Sequence, residues 1–266
     1  MSSIQNRFPH IFHCFRSHRA GVLSVLEIPD KGPQLKKSTV ANAILLWDSK
    51  EFEHECATRG LCVTALRSYA EWEKEDQKKI LEGVPPVVVG KVGDAPKRAS
   101  TASKKEQHSR PLDGMRVLDL SRVLAGPIAG KTLAGLFSFL YRTIHPFILL
   151  LCIAHGADVL LLTSPFLPSL PFIDVETSLG KRTTQLDLTE DPDVNKLQGL
   201  VKDTDVFLQA YRPGGLKEKG FGVQDVVDLR PGIVYAELST WGWGGPWATR
   251  KGVSCLFVFD QLSLVD

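Results

Sequence analysis

The sequence predicts an α/β fold: a Rossmann-like, mainly parallel and incomplete sheet, with a small α/β domain-like region before it. Three observations predict it. Strand and helix signals alternate from residue 111 to 252; the second strand, ADVLLLT (157–163), is continuously apolar, as a strand covered on both faces must be; and a polar, basic linker at 94–110 separates this core from what precedes it.

Taken in order, residues 1–20 form an uncertain N-terminal segment. Its stretch FPHIFHCFRSHRA carries Arg and His but no acid, and the first carboxylate is Glu27. A mitochondrial presequence has that composition, so mitochondria are the alternative to a cytoplasmic location. Residues 21–93 are the small α/β region. Ser68-Tyr69-Ala70-Glu71 has the form of a capping box and opens a helix through SYAEWEKEDQKKIL. LCVTAL (61–66) before it and VPPVVVGKV (84–92) after it are candidate strands.

In the core, MRVLDL (115–120), ADVLLLT (157–163), TTQLDL (183–188), DVFLQA (205–210) and IVYAEL (233–238) read as successive strands. Between the third and fourth, Asp191 can cap a helix with Pro192 at its first position. Val194, Leu197, Leu200 and Val201 form its apolar stripe. Strands joined by helices give a parallel sheet whose ligands sit at the carboxyl ends of the strands.

Two stretches break this pattern. GLFSFLYRTIHPFILLLCI (135–153) is nearly long enough for a membrane span, yet Arg142, His145 and Pro146 sit within it. Removing it leaves PIAGKTLA-AHGADVLLL, a compact crossover, so 135–153 is expected to be an insertion such as a translated intron would give. Residues 253–266 are an apolar, divergent tail.

Composition narrows the function classes. Lys plus Arg is 32 against 30 Asp plus Glu, a net charge of +2 that gives no reason to expect nucleic acid or membrane as partner. The five cysteines are an odd number without a CxxC pair, which argues against a disulfide framework and a zinc site and fits a reducing compartment. No metal is expected. The G-x-S-x-G, H-E-x-x-H and post-strand G-x-G-x-x-G patterns are missing.

The strongest local motif is LDLSRVLAGP (118–127), a strand turning into a helix started by Pro127. It is either an anion-binding turn, using free amides and the helix dipole, or a tight turn with nothing bound. The same stretch offers a different chemistry. Ala125 to Thr132 reads A-x-x-x-x-G-K-T, and Asp260 follows an apolar run as a Walker B acid would, so a P-loop-like NTPase is one alternative. Lys181 and Arg182 are two cations at a strand start, exposed or anion-binding. Tyr211-Arg212 at a strand end suits stacking and phosphate pairing, or is an ordinary turn. WGWGGPW (241–247) reads as a mobile aromatic loop, a lid or a subunit contact. His155, Asp119 and Asp187 have structural roles as their default reading.

Together, PLDGMRVLDLSRVLAGP, AHGADVLLLTSP, SLGKRTTQLDLT, DVFLQAYRPGGLKEKGFG and RPGIVYAELSTWGWGGPW resemble the class III CoA-transferase family (CaiB/BaiF), over about 111–250. Residues 17–90 more loosely resemble the small-domain region that precedes this core in long, tandem-like members. The resemblance implies coenzyme A or acyl-CoA as substrate, with a carboxylic acid as partner, and CoA transfer or acyl-CoA racemisation as activity. It also implies two interlinked subunits. Carried over by motif, Arg122, Leu124 and Ala125 flank the CoA cleft, Leu186 lies beside it, and Ala210 and Tyr211 line the nucleotide pocket. The family's aspartate nucleophile falls beyond Trp247–Gly252 and the racemase histidine near Val253, so no catalytic residue is assigned. The chain is expected to be truncated and inactive alone, and a non-catalytic CoA- or partner-binding module is the further alternative.

Overall fold

The computed structural model describes residues 10–11, 16–96, 110–135 and 155–252. The expected insertion and the divergent tail lie outside the described residues, apart from Gly135. The chain divides into two compact units, residues 87–238 and residues 1–86 with 239–266.

The second of these contains β1 (His10–Ile11) paired antiparallel with β2 (Val63–Thr64), and the helices α1 (Arg16–Val25), α2 (Lys37–Ile44) and α3 (Ser49–Thr58). Phe52 and Cys56 on one face of α3 pack against Val22, Val25 and Leu26 of the first helical segment, which is the apolar surface that holds these short elements together. The Ser68 capping box is present, with Glu71 accepting from the Ser68 N–H at 2.8 Å. The helix it opens is broken, however, into α4 (Tyr69–Trp72) and α5 (Asp76–Leu81). Glu75 in the break is held by Arg67 and Lys50, both at 2.9 Å. VPPVVVGKV forms no strand, and Val89 in it is 92% exposed. Two adjacent prolines lack ladder donors, and no neighbouring strand among the described residues covers its valines.

Residues 87–238 hold the sheet: β3 (Arg116–Leu120), β4 (Asp158–Thr163), β5 (Arg182–Gln185), β6 (Val206–Gln209) and β7 (Val234–Glu237). Their spatial order is β5-β4-β3-β6-β7, and every neighbouring pair is parallel. All five strands overlap the segments the sequence pattern assigns them, but β5 ends at Gln185, so Leu186–Leu188 of TTQLDL lie beyond it. The chain begins at the centre, moves outward twice, then returns to the other side of β3, so the order reverses between β3 and β6.

The pleat of β3 sorts its side chains. Leu118 and Leu120 face a core closed by Leu197 and Val201 of α8 (Asp191–Lys202), two residues of the expected stripe. Val117 faces the opposite way, into a core shared with Ala134 of α6 (Ala125–Ala134). Asp119 shares that second direction. α8 begins one residue earlier than expected, with Glu190 as its cap and Asp191 at its first position. The remaining α-helices among the described residues of this unit are α7 (Pro171–Thr177) and α9 (Val223–Leu229).

α6 stops at Gly135, which takes the left-handed conformation (φ 68°) that a helix C-terminus favours and glycine adopts without a Cβ penalty. The chain re-enters the described residues beside that stop. His155 Nδ1 lies 3.1 Å from the Thr132 carbonyl, and the Ala157 N–H donates to the Leu133 carbonyl at 3.0 Å. The two flanks of the expected insertion therefore meet through these two contacts.

Candidate functional site

The reversal point brings two strand ends side by side. β3 and β6 are in register from Val117–Val206 to Leu120–Gln209, so Ser121–Ala125 and Ala210–Tyr211 leave the sheet at the same height. The first turn of α6 closes onto both. A Cβ placed on Gly126 would stand 2.3 Å from the Ser121 Cβ and 3.2 Å from the Ala210 Cβ, so only glycine permits this approach. Arg122, Leu124, Ala125, Ala210 and Tyr211 are thus gathered at one edge of the sheet.

Each is held by its local chemistry. Arg122 is half-buried, and its Nη2 donates to the Pro168 carbonyl in the loop after β4. Val123 has φ 71°, a left-handed conformation that its branched side chain disfavours. Ala125 is exposed at the start of α6. On the β6 side, the Gln209 carboxamide is buried; its oxygen accepts from the Tyr211 N–H at 2.7 Å and its nitrogen donates to Glu237 Oε1 at 2.8 Å. Burial raises the Tyr211 phenol above its ordinary range; Arg122 acts to lower it and Asp119 to raise it. Leu186 stands apart: it follows the outer strand β5 and belongs to the packed core with Leu118 and Leu162.

Beneath the turn lies a feature the sequence reading did not find. Lys181, weighed there as an exposed cation, has its side chain fully buried (0% exposed) in an ion pair with Asp119, also 0%, at 2.8 Å. Lys181 Nζ also donates to the Pro127 carbonyl at 2.7 Å. The other oxygen of Asp119 accepts from the Ser121 N–H at 3.0 Å and from the Ser121 hydroxyl. Gly130 makes room for this group, since a Cβ there would stand 2.2 Å from Asp119 Oδ2. One sequence signal points to it. An Asp inside an otherwise apolar central strand must find a cation or donors when buried, and the two lysines on either side of β4 are the candidates. Arg182, by contrast, forms an exposed pair with Asp158.

Two sequence readings are corrected. The P-loop-like pattern at 125–132 is wholly helical, because α6 starts at Ala125 and Pro127 fits its first turn; no loop remains to cradle a phosphate. Its lysine, Lys131, pairs with Glu176. Asp260 lies outside the described residues. The 241–247 loop is also packed rather than mobile at its anchors: Trp241 and Trp247 are buried, with ring centroids 5.0 Å apart. Gln77 ties it down, donating to the Trp241 and Gly244 carbonyls at 2.6 and 2.9 Å and accepting from the Trp247 N–H at 2.9 Å. Arg67 and Arg250 both lie over the Trp247 ring, at 4.9 and 4.5 Å. Trp243 and the glycines between remain exposed or half-buried.

Among the described residues, no cluster of three metal-ligating side chains occurs, and no helix is long and apolar enough to cross a membrane.

Comparison with known proteins bears on the same stretch. The family model for CoA-transferase family III matches residues 170–259, running past Gly252 into the stretch read as a divergent tail. An acetyl-coenzyme A transferase of Hypoxylon pulicicidum is 34% identical over 147 residues, covering 54% of this chain and 22% of that protein. A Mycobacterium tuberculosis protein, named a probable fatty acyl-CoA transferase, is 32% identical over 147 residues, or 54% of this chain and 35% of that one. Its orthorhombic crystal structure matches with a TM-score of 0.46 at 30% identity, over 56% of this chain and 37% of that chain. An acyl-CoA transferase of Gibberella moniliformis is 29% identical over 209 residues, which is 77% of this chain and 33% of that protein. The chain spans between 22% and 35% of the length of these curated relatives.

Proposed function

We propose that the chain, similar to CoA-transferase family III across the span it shares with these relatives, supplies the CoA-binding part of an enzyme that moves CoA between an acyl-CoA and a carboxylic acid. One observation carries the reading: the strand order reverses between β3 and β6, and the turns at Arg122–Ala125 and Ala210–Tyr211 leave the sheet together there. At such a reversal the two connections diverge to opposite faces and open a crevice for a nucleotide.

Residue types at the crevice suit CoA. The Arg122 guanidinium can pair with a phosphate, and the first-turn amides and dipole of α6 add to the attraction. Tyr211 offers a flat ring for the adenine, with Ala210 beside it as a small neighbour. Leu124 and Ala125 flank the crevice, whereas Leu186 contributes to the packed core rather than to its lining. Acyl transfer also needs a nucleophile. Asp119 is committed to Lys181 and Ser121, so the reading assigns the nucleophile to no described residue. The family resemblance supports an interlinked homodimer as the assembled form, and the odd cysteine count supports a reducing, cytoplasmic setting.

The test is ligand-dependent thermal stabilisation of the full chain, followed by trapping with radiolabelled acyl-CoA. CoA at about a hundred times its dissociation constant raises the unfolding free energy by about 2.7 kcal/mol. Stabilisation by CoA without covalent labelling fits a binding part separated from its nucleophile. Stabilisation by Mg·ATP but not by CoA overturns the proposal.

A further inference from the structure

The buried pair beneath the turn has more bonds than packing alone requires. We propose that Lys181 and Asp119 are positioning residues, which hold the Ser121–Pro127 turn in the geometry that receives the ligand; as to the ligand's being CoA, this rests on the reading above.

The bonding pattern carries the inference. The turn is gripped at both ends and strained in the middle. At its start, Asp119 takes both donors of Ser121, N–H and hydroxyl. At its end, Lys181 holds the Pro127 carbonyl at 2.7 Å. Between these points Val123 has φ 71°, and Leu124 has φ −126° and ψ −67°, outside the helical and extended wells. A branched residue keeps a left-handed conformation only where its surroundings over-determine it, and such strain collects at ligand clamps. Here the over-determining group is a single ion pair, 0% exposed on both sides, between residues 62 apart in sequence. Two glycines serve it. Gly130 leaves space for the carboxylate, and Gly126 lets the turn lie against Ser121 and Ala210. An apolar pair would fill the same space without gripping either end. The ionic bonds are therefore spent on the conformation of the segment that carries Arg122, Leu124 and Ala125.

Two variants of the full chain test this, the paired replacement Asp119→Leu/Lys181→Met and the single Ser121→Ala. Replacing a buried pair on both sides by apolar residues commonly preserves a fold, whereas removing one partner does not. Each variant is read in two ways: amide hydrogen exchange of residues 122–126 without ligand, and CoA affinity by calorimetry. Both folded variants are expected to exchange faster at 122–126, with exchange of the β3 amides unchanged. The CoA dissociation constant is expected to rise about tenfold, equivalent to about 1.4 kcal/mol. Wild-type exchange at 122–126 together with wild-type CoA affinity in a folded variant overturns the proposal. Should the paired variant not fold, Ser121→Ala decides on the same readouts. If the unaltered chain does not bind CoA, the functional reading fails, while exchange at 122–126 still decides whether the pair positions the turn.

Discussion

Two glycine-to-alanine substitutions, each within a helix of the same unit, should have opposite signs. In a solvent-exposed helix interior, alanine is favoured over glycine by about 1 kcal/mol. Gly199 in α8 meets that condition, with nothing within 4 Å of a built Cβ, so Gly199→Ala should stabilise by about 1 kcal/mol. Gly130 in α6 does not. Its new methyl would stand 2.2 Å from Asp119 Oδ2 and 3.0 Å from Lys181 Nζ. The carboxylate cannot withdraw, because Lys181 holds one oxygen at 2.8 Å and the Ser121 amide the other at 3.0 Å. Overpacking costs about 1–3 kcal/mol, and disturbing a buried ion pair adds to that. After the helical gain is subtracted, Gly130→Ala should destabilise by about 2–4 kcal/mol. Urea unfolding with linear extrapolation resolves a difference of that size between the two variants. A Gly130→Ala protein as stable as the Gly199→Ala protein would refute the packed ion pair beneath α6.

Three further outcomes follow from other parts of the molecule. His18 accepts the Cys62 N–H on Nδ1 at 3.1 Å, and burial, then Lys251, hold its pKa below the ordinary 6.5. As pH falls, the unfolded chain takes up that proton first, so the stability His18 contributes is complete above about 6.5 and declines below it. The loss in urea midpoint between pH 7.5 and 5.5 should accordingly be smaller in His18→Gln; equal losses would contradict the assignment. Gln77→Ala strips the Trp241 and Gly244 carbonyls and the Trp247 N–H of their partner, and should cost about 3 kcal/mol with a red shift in tryptophan emission. An unshifted spectrum at wild-type stability would show that the loop is held by other contacts. Deleting residues 136–153 should leave the unfolding midpoint of the chain close to its original value, since Thr132 and Leu133 already bond to His155 and Ala157. Loss of cooperative unfolding would mean that the segment is integral to the unit.

What could be read from the sequence follows from how local the physics is. The inner strands β3, β4 and β6 were legible because each buries apolar residues over a stretch no longer than itself, and α8 because its stripe repeats at helical spacing. The outer strands β5 and β7, without a fully buried residue, were legible from their place in the alternation of strands and helices. The reversal of strand order was not: nothing within β6 says on which side of β3 it pairs. VPPVVVGKV misled because apolar composition specifies a strand only if a neighbour is present to pair with it. The Trp loop misled for a related reason. Its glycines signal freedom locally, but its anchor is a glutamine 164 residues away from Trp241. Of the candidate site, Arg122, Leu124, Ala125, Ala210 and Tyr211 come together at one sheet edge, whereas Leu186 sits in the core. Lys181 was hidden by its flanks. Gly180 before it and the exposed Arg182 after it read as surface, and only the demand of a buried Asp119 distinguishes it.

CoA is proposed to occupy the crevice between the ends of β3 and β6. Photoaffinity labelling of the full chain with an azido-CoA, followed by peptide mapping, tests it most directly. The labelled peptides should contain residues 121–127 and 209–212, and excess unlabelled CoA should abolish both. Labelling confined to peptides outside 121–127 and 209–212, or insensitive to competing CoA, would contradict it.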